Sequence, residues 1–73
     1  MKVGDIVMFT DNGRYSSWFW GQLATVIKHT PKDPATGRTR SSCRVRWFQP
    51  VEYHGRKTTI SDFGSDCFEV ISE

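Results

Sequence analysis

Cys43-Arg44-Val45-Arg46-Trp47-Phe48-Gln49-Pro50 is the stretch that decides the fold. Apolar and charged side chains alternate along it one by one. Successive side chains of a β-strand point to opposite faces, so Cys43, Val45 and Trp47 share one face and Arg44, Arg46 and Phe48 the other. The first set is the expected core face. Pro50 has no N–H to give to a ladder and marks the expected end of the strand.

The flanking sequence continues in β signals: short runs of Val, Ile, Thr and aromatics between Gly, Pro, Asn, Asp and Ser clusters. Upstream, residues 30–42 hold two prolines, one glycine and no large apolar side chain, and read as a mobile basic loop. Before it, Gly21 to His29 is an expected strand. Ala24 and Val26 form one face, Leu23, Thr25 and Ile27 the other; two fairly apolar faces suit a closed or doubly covered sheet. Lys2 to Thr10 is the first expected strand, with Val3, Val7 and Phe9 on one face and Ile6 and Met8 on the other. Gly4-Asp5 allows a turn or bulge there.

Asp11-Asn12-Gly13 is a turn signal, and Arg14 to Ser17 a loop. The consecutive aromatics Trp18-Phe19-Trp20 cannot all point inward from one strand, so at least one lies at the surface or under a loop. No window carries a sustained helical stripe. Downstream, Glu52-Tyr53-His54-Gly55 reads as a turn and Arg56 to Ile60 as a fourth, short strand. Ser61 to Asp66 is too polar and Gly-rich for a strand and suits one 3₁₀ turn with Phe63 tucked in. Cys67 to Ile71 is the fifth strand, with Phe68 and Val70 on one face.

These signs describe an all-β fold: a small five-stranded barrel over residues 1–73, with a long loop between strands 2 and 3 and a 3₁₀ turn before the last strand. Closing the sheet removes exposed edges. At 73 residues the chain makes one domain, with little room for both a core and a deep cleft. Asp5 interrupts the apolar run a secretory signal needs, and no stretch approaches the roughly 18 apolar residues of a membrane span. The expected location is the cytoplasm, with no membrane contact. Cys43 and Cys67 are the only cysteines and read as two reduced, semi-buried thiols. A disulfide requires their strands to lie side by side. Together with His29 and His54 they match no common zinc spacing, so no metal or cofactor is expected.

Charge is the most informative feature. The formal net charge is only +2. Lys28 to Lys57 holds eight cations against two acids, a net +6, and the remainder two cations against six acids, a net −4. Arg44 and Arg46 project outward from one strand, Arg38 and Arg40 lie in the loop leading into it, and Arg56 and Lys57 follow the next turn. Such a patch attracts phosphates or an acidic protein. Arg also offers forked hydrogen bonds to phosphate or carboxylate. Its bland counterpart is a solvated face beside a basic loop. Phe48 shares the outward face, and Tyr15, Trp18, Trp20 and Tyr53 lie in or near turns. Aromatics beside Arg suit base stacking, a protein hot spot or a cage for a methylated cation. Trp47 instead suits the core, while Trp18 and Tyr53 suit either role. Catalysis has little support: His54 has no nucleophile at a recognised spacing, and no phosphate loop or nucleophile elbow is present.

The order of these parts resembles the SH3-like barrel superfamily, through Val3-Gly4-Asp5-Ile6-Val7, Gly21 to Ile27, Cys43 to Phe48, and Ile60-Ser61-Asp62-Phe63 with Phe68-Glu69-Val70-Ile71. Tudor and KOW modules and the variable chain of ferredoxin–thioredoxin reductase are similar in layout. The small ferredoxin-docking barrel of photosystem I shares a Val-Arg-aromatic strand followed by a Tyr-x-Gly turn, here Tyr53-His54-Gly55, although its loop is shorter than residues 30–42. The Arg-Trp-Phe strand with a terminal Phe-Glu-Val-Ile is similar to small tailed-phage proteins, which for this chain would mean the host cytoplasm. Without a catalytic motif, and with its basic, aromatic-edged face, the chain is expected to be a non-enzymatic binding module. The expected partner is acidic, nucleic acid first, held by Arg38, Arg40, Arg44, Arg46, Phe48, Tyr53, Arg56, Lys57 and Trp18. The alternative is a docking or assembly protein receiving an acidic protein such as ferredoxin. The oppositely charged segments also allow a homodimer.

Overall fold

The computed structural model describes residues 1–72. Five strands, β1 (Ile6–Phe9), β2 (Leu23–Thr30), β3 (Ser42–Tyr53), β4 (Arg56–Gly64) and β5 (Phe68–Ser72), form one antiparallel sheet in the order β4-β3-β2-β1-β5. A one-turn helix, α1 (Ser16–Phe19), lies between β1 and β2. Short 3₁₀ turns occupy Pro34–Thr36 and Ser65–Cys67.

The alternation in β3 holds. Cys43, Val45 and Trp47 are buried, and Arg44, Arg46 and Phe48 are exposed. Val7 and Phe9 of β1, Ala24 and Val26 of β2, and Phe68 of β5 complete the same core. In a flat sheet β1 and β4 would lie roughly 14 Å apart, with two strands between them. The rings of Phe9 and Phe63 are nevertheless 5.0 Å apart between centroids. The sheet therefore curls until its ends approach, and Phe63 of β4 meets Phe68 of β5 at 6.0 Å. Register shifts at Ile6/Val7, Val26/Lys28 and Arg46/Val51 supply local bends.

Several boundaries differ from the sequence expectation. Pro50 does not end β3, which continues to Tyr53. It falls inside the register break between Arg46 and Val51, where its missing N–H is tolerated. The turn is accordingly only His54-Gly55, both at positive φ (51° and 76°), as a two-residue type I′ hairpin requires. Ser61–Gly64 is not a 3₁₀ turn but the end of β4. Its polar groups have partners: Ser61 Oγ accepts the Trp47 indole N–H at 3.0 Å, and Asp62 faces outward to Arg44. Phe63 is tucked in as expected, while Cys67 belongs to the 3₁₀ turn and not to β5.

Val3 leaves the core face expected for it and is 61% exposed. Gly4 (φ +98°) turns the chain there and donates its N–H to Val26 O at 2.8 Å. Asp5 is buried behind it and accepts the Lys2 backbone N–H at 2.9 Å. Helical turn α1 resolves the three consecutive aromatics. Phe19 enters the core, Trp18 is half-buried, and Trp20 is 57% exposed. The outer face of β2 remains open at Leu23. The 30–42 loop carries its own small structure: Asp33 bridges to Arg38, and its carboxylate accepts the Ala35 N–H at 3.1 Å.

Removing the Phe9 ring leaves a cavity under both ends of the sheet. Phe9→Ala is expected to cost about 3–5 kcal/mol in urea unfolding. Phe48→Ala, on the exposed face, is expected to stay within about 0.5 kcal/mol of the parent. Equal losses for the two would contradict this core.

Candidate binding surfaces

The outer face of β3 is set by cross-strand register. Arg46 lies between Thr25 of β2 and Ile60 of β4, so its row holds no acid. Arg44 lies between Lys28 and Asp62. Asp62 takes the Arg44 guanidinium in a forked contact, Nε to Oδ1 at 2.9 Å and Nη2 to Oδ2 at 3.4 Å. These hydrogen bonds, with the charge attraction, raise the Arg44 pKa. An exposed pair of this kind adds little stability. It does, however, offset the Arg44 charge and leave Arg46 and Lys28 as the freer cations of the face.

Phe48 borders an open groove of about 240 Å³ with Leu23, Gln22 and Gln49. Leu23 in turn pairs with Met8 of β1. An apolar row thus crosses β3, β2 and β1 beside the row of Arg46.

Tyr53, Arg56 and Lys57 lie further along the same β3–β4 hairpin. Tyr53 pairs with Arg56 and Glu52 with Lys57 at the tip of the β3–β4 hairpin. Arg46 pairs with Ile60 and Glu52 with Lys57, so across the register break the two rows lie three β4 residues apart, about 10 Å at 3.3 Å per residue. Trp18 joins this tip, with its ring 4.9 Å from Tyr53 and 5.2 Å from His54. Arg14, which sequence reasoning passed over, lies 5.6 Å from the Tyr15 ring, within cation–π range. No periodic signal marks it, because it precedes a helix of only one turn. Between tip and helix, Tyr15, Phe19, Tyr53 and Phe63 line a groove of about 280 Å³ with Thr58, Ser61 and Asp62. Arg38 and Arg40 are exposed in the 30–42 loop.

His29 pairs across strands with Cys43, whereas His54 lies at the hairpin tip. Among the described residues no group of three His, Cys, Asp or Glu is placed to hold a metal ion. Among the described residues no helix is long and apolar enough to cross a membrane. Both cysteines are free. Burial pushes the Cys43 thiol up to about 11, partly offset by the neighbouring Ser65 hydroxyl. Cys67 is also raised, by burial and by Asp11 and Asp66. Comparison with protein-family models, curated proteins and solved structures finds no match.

The Cys43 shift has a pH consequence. Its folded pKa lies above the unfolded value of 9.0, so the neutral thiol favours the fold below pH 9. That contribution is lost as pH rises from about 9 to about 11. The thermal midpoint is expected to fall over that window, and less steeply in Cys43→Ala. At neutral pH, alkylation of the folded protein should label half-buried Cys67 well before Cys43.

Proposed function

We propose that this chain is a non-enzymatic binding module of the SH3-like barrel class whose outer β3 face takes an acidic partner, single-stranded nucleic acid first. The strand order β4-β3-β2-β1-β5, with a 3₁₀ turn before β5, supports the class. One observation carries the function. Arg46 and Phe48 project from the same exposed face two residues apart, Lys28 stands on the neighbouring strand, and no acid lies in the Arg46 row. A cation takes a phosphate while an adjacent ring stacks on a base, without regard to sequence. Arg38 and Arg40 contribute from the loop. Trp18, Tyr53, Arg56 and Lys57 at the hairpin tip form a second contact further along the strand.

The apolar row Phe48, Leu23 and Met8, with Trp20 exposed, favours a second reading. Aromatic and Met side chains around an Arg are the composition of a protein hot spot. In this reading the domain is a docking or assembly protein for an acidic partner such as ferredoxin, as its resemblance to the small barrel of photosystem I implies. A cytoplasmic, tailed-phage setting follows from the resemblance to small phage proteins, and the genes flanking its own decide between the two.

Fluorescence anisotropy with a labelled mixed-sequence single strand at low salt separates the readings. The parent should bind, with affinity falling steeply as salt rises. Arg46→Ala should reduce the log–log salt slope by about 0.7. Phe48→Ala should cost about 1–3 kcal/mol at every salt concentration. Asp62→Asn should tighten binding by freeing Arg44. No binding of any single strand at low salt overturns the nucleic-acid reading.

A further inference from the structure

β4 stands at one end of the sheet and is paired with β3 along one side only. An edge strand offers a row of N–H and C=O groups to any strand that approaches, unless it is short, covered or interrupted by proline. Arg56–Gly64 is nine residues long and contains no proline. Its free side borders the hollow in front of Tyr15 and Phe19, which Thr58 and Ser61 also line.

The middle of this strand, Lys57-Thr58-Thr59-Ile60-Ser61-Asp62, is chemically mirrored about the Thr59–Ile60 bond. Outward from that bond come two β-formers, then two hydroxyls, then opposite charges. Burial is mirrored as well. Thr58 and Ser61 are half-buried, whereas Lys57, Thr59, Ile60 and Asp62 are exposed. The register break against β3 between Arg46 and Val51 falls in this same stretch of β4, between Ile60 and Thr58, and disrupts the usual alternation there.

A mirrored strand is complementary to itself in the antiparallel sense. We propose that a second copy of this chain pairs with it edge to edge through β4. Lys57 of each copy then faces Asp62 of the other, Thr58 faces Ser61, and Thr59 faces Ile60. The two charge pairs attract across the junction, and Ile60 loses its exposure. The contact is isologous and closes after two copies. Its result is one continuous ten-stranded sheet in which the two paired β4 strands separate the two β3 strands. Asp62 lies between Arg44 of its own copy and Lys57 of the other, and that Lys57 has Glu52 of its own copy on its far side, so the junction is a row of four alternating charges on each side.

Sedimentation equilibrium over a concentration series at low salt tests this. The parent should form a dimer that weakens as salt rises. K57E alone and D62K alone should each weaken self-association about tenfold, because each sets like charges opposite one another twice. Mixed in equal amounts, the two variants should associate more tightly than either alone, since both charge pairs of the mixed dimer are then attractive. Urea unfolding confirms that each variant is folded. A parent that stays monomeric throughout, single variants that dimerise like the parent, or a mixture no tighter than its components overturns the proposal.

Discussion

Phe9 is the contact on which the structure depends. Its ring meets Phe19 at 5.9 Å, Trp47 at 6.4 Å, Phe63 at 5.0 Å and Phe68 at 5.4 Å, and so touches α1, β3, β4 and β5 from β1. A chain of 73 residues buries too small a fraction of its surface to rely on scattered aliphatic contacts. Aromatic rings bury about 150–250 Å² each, and edge-to-face pairs add further attraction. One ring at the centre of the curl therefore joins elements that the hydrogen-bonded ladder leaves apart. β4 and β5 are the ends of the ladder, and aromatic packing brings them together.

That closure also positions the surfaces. Phe19 is drawn beneath the sheet and stacks on Trp47 at 5.0 Å. With Phe19 fixed, one turn of helix carries Trp18 towards Tyr53 and leaves Trp20 outside. The inner face of β3 is occupied by the core, so Arg44, Arg46 and Phe48 have only the outer face available. Core and outer basic face are two sides of one alternation, and a one-residue slip of β3 would exchange them.

That alternation was also the most legible part of the chain. Cys43, Val45 and Trp47 could be assigned inward because neighbouring residues on one strand decide it. The misread ends of β3 and β4 involve distant partners. Ser61 and Asp62 looked too polar for a strand because Trp47 and Arg44, which satisfy them, lie 14 and 18 residues away. Pro50 looked terminal because a register break is invisible without the partner strand. The cations of the site were countable from the sequence, but their grouping was not. The continuation of β3 through its register break sets Lys57 three β4 residues, about 10 Å, beyond the Arg46–Ile60 row. Charge counting also could not show that one acid from the end of β4 neutralises part of the basic face.

The pairing of β1 with β5 has a kinetic side. Phe9 is registered against Phe68, almost sixty residues further along the chain. The β2–β3 and β3–β4 ladders join neighbours in sequence and form at small loop-closure cost, whereas this seam needs nearly the whole polypeptide. The hairpins are therefore the early events of folding, and the Phe9 contacts to β5 the late one. Until that seam forms, the only strand paired with β1 is β2, and the Phe9 ring lacks its Phe68 contact. Contact order thus makes this seam the expected last closure of the fold.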